Sequence, residues 1–93
     1  MTHEASLRSY LMTLDDRVIG RIDYVNGPPE PEAWVHTEVV PELRNKGYAA
    51  VLLREAVTIA RARKVRVSPL CPYVRAYAKR HPKDRDVFVD AGR

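Results

Sequence analysis

Residues 36–57 read HTEVVPELRNKGYAAVLLREAV. The β-branched run ends at Pro41, a polar stretch passes through Arg44, Asn45, Lys46 and Gly47, and from Tyr48 the apolar positions Leu52, Leu53, Ala56 and Val57 recur at helical spacing. A strand, a breaker, a glycine and a helix in that order give a strand-to-helix loop. Such a loop presents unpaired N–H groups at a helix N-terminus, where the helix dipole also favours negative charge. The same spelling fits a plain helix-capping turn, and the choice depends on what surrounds it.

Upstream, SLRSYLMTL (6–14) alternates Leu7, Ser9, Leu11 and Thr13 with Arg8, Tyr10, Met12 and Leu14. RVIGRIDYV (17–25) sets Val18, Ile22 and Tyr24 against Arg21 and Asp23, and Asp15-Asp16 between the two runs makes a turn, so the first 25 residues read as an antiparallel hairpin. NGPPEPE (26–32) is too rich in breakers for strand or helix and reads as a loop. Ala33–Val40 is a third strand, with Trp34, His36 and Glu38 on one face and Val35, Thr37 and Val39 on the other. The helix from Tyr48 extends to about Lys64, with Ile59 and Ala60 continuing its apolar stripe and Arg54, Glu55, Arg61 and Arg63 outside it. KVRVSPL (64–70) is a short strand, and PYVRAYAKRHP (72–82) is a second helix with Pro72 in its first turn and Pro82 beyond its end. Val87, Phe88 and Val89 suit either a terminal strand or a docking segment. The order strand, strand, strand, helix, strand, helix predicts a small α+β fold, a mainly antiparallel sheet with two helices packed on it.

A chain of 93 residues closes one hydrophobic core, so residues 1–93 are expected to form a single domain. With 45% hydrophobic and 30% charged residues the composition is that of a globular protein, and no apolar run approaches the roughly 20 residues of a membrane span. The N-terminal Met-Thr-His-Glu-Ala-Ser does not resemble a signal peptide, which gives the expectation of a cytoplasmic protein without a membrane partner. The net charge of +4 points to an anionic partner: nucleic acid, an acidic protein or a phosphorylated small molecule. The second half, with Arg61, Arg63, Lys64, Arg66, Arg75, Lys79, Arg80 and Lys83, is where an anion site is expected. A nucleic-acid partner is disfavoured, since no recognition motif or aromatic-rich strand platform is present. The lone Cys71 forms no internal disulfide, and no metal-ligand spacing is found.

The loop Arg44-Asn45-Lys46-Gly47-Tyr48-Ala49 resembles the pyrophosphate-binding motif, Gln/Arg-x-x-Gly-x-Gly/Ala, of the Gcn5-related N-acetyltransferase superfamily. The wider frame of HTEVVPELRNKGYAAVLLREAV followed by VSPLCPYVRAYAKRHP is similar to its small single-domain family with His-Thr-Glu-Val and Cys-Pro-Tyr segments, over roughly residues 18–90. The resemblance implies a minimal fold with a splayed strand pair and acetyl-CoA as co-substrate, its pyrophosphate held by residues 44–49. It also implies an N-acetyltransferase acting on an amine the sequence does not name. Two departures stand out. Asn45 replaces a common Gly, and the pocket-forming helices between the first two strands are missing, so the acceptor site should be open or completed by a partner.

Three residues are candidates for the chemistry. Glu38 is placed to take the amine proton, and His36 to act as a base or to activate a thiol. Cys71, which with the strand His lines the active site in the family resembled, lies at a helix N-terminus near Arg75, a setting that favours thiolate and a covalent acetyl intermediate. Tyr73 is a weaker candidate for protonating the leaving thiolate. The alternatives are a CoA-binding module in which Cys71, His36 and Glu38 have no chemical role, and a basic binder of nucleic acid or an acidic partner.

Overall fold

The computed structural model describes residues 1–89. Strands β1 (Thr2–Glu4), β2 (Ser9–Leu14), β3 (Arg17–Val25), β4 (Glu32–Val39) and β5 (Val67–Pro69) form one sheet in chain order. The first four are antiparallel, and β5 runs parallel to β4 after the crossover helix α1 (Tyr48–Ala62). Helix α2 (Pro72–Arg80) follows β5. This is the α+β fold the pattern predicts, with one added strand, and no helix of the described residues is long and apolar enough to cross a membrane.

The β2–β3 turn is tight because Asp15 (φ 51°) and Asp16 (φ 63°) both adopt the left-handed conformation that matches strand twist in a two-residue hairpin. The alternation then breaks once, because Thr13 pairs with Val18 and Met12 with Gly20, which leaves Ile19 as an extra residue; Ile19 is buried and Val18, expected on the face of Ile22 and Tyr24, is exposed. Beyond Gly20 the period-2 pattern holds. Tyr10, Met12, Ile22 and Tyr24 are buried on one face, and Ser9, Leu11, Arg21 and Asp23 lie on the other. Both helices cover the first face: Leu52, Leu53, Ala56, Val57 and Ala60 of α1 and Val74, Tyr77 and Ala78 of α2 share one core with Tyr10, Ile22 and Trp34. Gly20 lets α1 come close, since a Cβ there would stand 3.2 Å from Leu52 Cδ2 and 3.4 Å from the Glu38 carbonyl. Val87 and Phe88 dock into this core through a single parallel bridge, Val67 to Phe88. The Arg66 guanidinium clamps the segment by donating to the Val87 and Phe88 carbonyls.

Three further details escape the sequence pattern. Residues 5–7 form a 3₁₀ turn rather than the start of a strand, and Thr2–Glu4 adds an edge strand. That strand is held by a 2.6 Å bond between His3 Nε2 and the Tyr24 hydroxyl and by contact of the His3 ring with Tyr10 at 4.9 Å. Glu32, assigned to the loop, opens β4 and is fully buried. The third is a bulge. Tyr24 pairs with Trp34 and Asp23 with His36, which leaves Val35 as an extra residue on β4. The expected face shared by Trp34, His36 and Glu38 is therefore corrected: Trp34 stays in the core with Val39, while His36 and Glu38 turn to the helix-free side beside Asp23 and Arg21.

Glu32 anchors the sheet to α1. Its carboxylate accepts from the Tyr10 hydroxyl (2.6 Å), Trp34 Nε1 (3.3 Å) and Arg63 Nη1 (2.6 Å), and Arg63 also donates to Tyr10 (2.7 Å). Burial, reinforced by Glu32, raises the Tyr10 pKa far above its usual value. A charge this deep is tolerated only while paired, so Arg63→Met should lower stability by about 3 kcal/mol. The Glu32→Gln/Arg63→Met double variant should lose less than the single one in urea denaturation followed by Trp34 fluorescence.

Candidate active site

Pairing between β4 and β5 stops at Trp34 and Pro69. Pro69 has no N–H to carry the ladder further, and the last backbone bond across the gap, Cys71 N–H to the Trp34 carbonyl at 2.9 Å, turns the chain away into α2. From Val35 to Val39 this edge of β4 has no neighbouring strand. Along it lies a cavity of about 420 Å³ between β4, the β4–α1 loop and Tyr73 of α2.

The lower wall of the cavity is the loop of the opening stretch. Asn45 (φ 64°) and Gly47 (φ 83°) are both left-handed, which curls the chain so that successive N–H groups turn the same way. None of the N–H groups from Asn45 to Ala50 has a backbone or side-chain acceptor among the described residues, and the first donor of α1 in use is Val51, to the Gly47 carbonyl. An ideal Cβ on Gly47 would have no neighbour within 4 Å, so open space lies in front of this row. Opposite, Thr37 Oγ1 is buried without a hydrogen-bond partner. The amides of this largely exposed loop are thus open to an acceptor from solvent, while Thr37 Oγ1 is the unpaired buried side-chain atom of the cavity wall.

The residues singled out from sequence divide. Arg44, Asn45, Gly47 and Ala49 line the cavity, whereas Lys46 and Tyr48 do not. Arg44 Nε is bonded to the Val39 carbonyl at 2.9 Å, so this arginine braces the loop to the end of β4. His36 and Glu38 both border the cavity, with Nε2 and Oε2 3.6 Å apart and each side chain about half exposed. Cys71 is half-buried, packs against the core and is not on the cavity wall. Arg75 Nε donates to the Pro69 carbonyl. Tyr73, 52% exposed, takes the wall position instead. Among the described residues no group of three or more His, Cys, Asp or Glu could hold a metal ion.

Asp23, Arg21 and Ser9 were not singled out from sequence. They stand across the strand pair from the site, with Asp23 opposite His36 and Arg21 opposite Glu38. Only the bulge at Val35 sets that register, so the signal lay in the pairing and not in a motif.

The profile of the GCN5-related N-acetyl-transferases matches residues 9–87, which takes in β2 to β5, the cavity and both helices. The chain belongs to this family. Membership gives it an acetyltransferase-type function. No curated protein matches the chain significantly.

The helix-free side of this acetyltransferase fold is electrostatically ordered. Burial pushes the Asp23 carboxyl up, but hydrogen bonds from Ser9 (2.6 Å) and Arg21 (2.7 Å) and the positive charge of Arg21 outweigh it and hold the group below its ordinary value. A carboxyl with a depressed folded-state pKa stabilises the fold above its unfolded pKa of about 4, and that stability is lost as pH falls through the lower, folded value. Asp23→Asn should therefore be less stable than wild type at pH 6. The difference should shrink on acidification below pH 4, as read from thermal melts across the range.

Proposed function

We propose that this protein is an acetyl-CoA-dependent N-acetyltransferase in which the β4–α1 loop binds the coenzyme and the β4 edge carries the chemistry. The observation that supports it most is the run of unpaired N–H groups from Asn45 to Ala50, of which Asn45, Gly47, Ala49 and Ala50 line a cavity bordered by His36 and Glu38. Those amides, with Gly47 leaving the approach open, suit a diphosphate. The unpaired edge of β4 offers amide partners to the amides of the pantetheine arm, and the Thr37 hydroxyl offers one more.

Acetyl-CoA supplies an acyl group already activated as a thioester. The protein must receive a proton from the incoming amine, stabilise negative charge on the carbonyl oxygen and return a proton to the sulfur. Glu38 and His36, adjacent and open to solvent, are suited to take the amine proton directly or through water. Free N–H groups of the β4 edge are suited to the developing oxyanion. As the new C–N bond forms and the C–S bond breaks, the Tyr73 hydroxyl at the cavity wall is the donor available to the departing thiolate. The position of Cys71 off that wall favours direct attack by the amine over transfer through an acetyl-cysteine.

Calorimetric titration with acetyl-CoA, followed by intact mass, tests this reading. Wild type should bind saturably. Gly47→Val should bind at least tenfold more weakly, because its side chain fills the approach; a left-handed β-branched residue also costs about 1–3 kcal/mol of stability. The wild-type mass should not change. An acetyl adduct that disappears in Cys71→Ala would instead establish the covalent route, and undiminished binding by Gly47→Val would remove the loop from the site.

A further inference from the structure

A further cavity of about 220 Å³ lies over the start of β3 and the end of β4. Glu38 lines it and also lines the cavity along the β4 edge, so one carboxylate borders both. Val18, Val40 and Pro41 supply its apolar surface, and Arg21 is on its wall with Glu38. The β3 bulge makes part of that surface: with Ile19 taken into the core, Val18 is left 44% exposed. The volume falls below the roughly 300 Å³ at which sites for drug-sized ligands begin, so the cavity suits a small molecule. Nothing in the binding of the coenzyme uses it.

Arg21 and Glu38 stand opposite one another across the strand pair, yet they form no ion pair with each other. Each keeps bonding capacity in reserve. Arg21 gives Nε (3.0 Å) and Nη2 (2.7 Å) to a single oxygen, Asp23 Oδ1. A guanidinium carries five N–H groups in a planar fork, so this contact occupies its Nε side and leaves the Nη1 end open to a second carboxylate. Glu38 Oε2 lies 3.6 Å from His36 Nε2, too far for a hydrogen bond. Side chains directly opposite on neighbouring strands have Cβ atoms about 5 Å apart. A cation and an anion are therefore side by side at an apolar cavity, each able to take one more partner.

This inference rests on the acetyl-transfer reading above. We infer that this cavity seats the acyl acceptor and that the acceptor is a free aliphatic α-amino acid, with its ammonium on Glu38, its carboxylate on the open end of Arg21 and its side chain against Val18, Val40 and Pro41. An α-amino acid carries both charges on one carbon, which matches neighbouring side chains of opposite sign. A polyamine would bring a second cation to Arg21, a dicarboxylic acid would bring a second anion to Glu38, and either would set a charge on the apolar wall. Because Glu38 borders both cavities, the nitrogen meets the thioester at their boundary. The ammonium passes one proton through Glu38 to water. The amine then attacks the thioester carbon, the C–N bond forms, the C–S bond breaks, and the second nitrogen proton is released as the coenzyme sulfur gains one.

Amide NMR titrations of the full chain with CoA present, so that no turnover occurs, test it with L-leucine, L-leucinamide and isopentylamine as probes. Leucine should shift the amides of residues 18–21 and 38–40 and bind about tenfold more tightly than the other two, which lack the carboxylate; tenfold is the usual worth of one charge-assisted hydrogen bond. Arg21→Gln should bring leucine down to the level of leucinamide and leave leucinamide as it was. Arg8→Gln, which removes an equal charge at an exposed position outside the cavity, should keep the preference. Val18→Trp, at an exposed strand position, should weaken all three probes by filling the apolar space while the rest of the amide spectrum is retained. With acetyl-CoA in place of CoA, wild type should convert leucine to N-acetyl-leucine. No preference for leucine in wild type, a preference that survives Arg21→Gln, or bound leucine that is not acetylated overturns the inference, while the coenzyme reading stands on the shifts that CoA itself causes at residues 45–50. A chain whose amides do not respond to CoA refutes the coenzyme reading, and the acceptor assignment with it.

Discussion

The parting of β4 from β5 is the constraint on which the rest of the site depends. A parallel pair with one face buried would ordinarily lengthen until both strands end, because every buried amide needs a partner. Here β5 spells Val67-Ser68-Pro69, and Pro69 has no N–H to contribute. Cys71 then gives its N–H to the Trp34 carbonyl, and Pro72 opens α2 at a position where a missing donor is harmless. The remainder of β4 keeps its side chains in register with β3 but has no strand on its other edge. A gap of this kind is stable only if the two strands are held firmly where they still meet.

The holding is done at the closed end. Glu32 opens β4 opposite Val67, and its carboxylate ties Tyr10 of β2, Trp34 of β4 and Arg63 at the end of α1 into one cluster. A buried ion pair is a weak source of net stability, since desolvation opposes the attraction, but it is intolerant of displacement. That intolerance matters more than its energy. It fixes the end of α1 against the strand pair, so that the start of α1 is delivered to the open end of the same strands. The second clamp, Arg61 to Asp84 and Asp86, fastens the segment that brings Phe88 beneath Trp34, with ring centroids 6.1 Å apart. Rigidity at one end of the fork leaves the other free to be shaped by a ligand.

The legible part of this fold was the part written in local pattern. The hairpin followed from alternation and from Asp15-Asp16, and α1 and α2 from apolar spacing and the prolines that bracket them. The loop followed from a glycine between a strand end and a helix start. What escaped notice was non-local. The three residues of β1 carry no pattern of their own, and their place depends on His3 meeting Tyr24, more than twenty positions away. Glu32 looked like part of a proline-rich loop because a buried carboxylate is recognisable only with its partners, which come from β2 and α1. That Arg44 braces the loop through Nε to the Val39 carbonyl was not written in its motif either, since composition cannot say which acceptor a guanidinium will find.

The bulge at Val35 converts a scaffold strand into a site. In an unbroken alternation from Trp34, His36 and Glu38 would point into the core beneath α1, where two ionisable groups would face the same desolvation that Glu32 escapes only through three partners. One extra residue shifts the phase. Trp34 remains buried, Thr37 and Val39 inherit the helix side, and His36 and Glu38 emerge beside Asp23 and Arg21 in a polar row. The same strand thus presents two ionisable side chains on one face, an unpartnered hydroxyl on the other and an unpaired edge between them. An acyl donor lying along that edge would meet all three, and an amine would have to come from the side that no helix covers. On the proposed function, the helix-free face beside His36 and Glu38 is the side from which the second reactant would come.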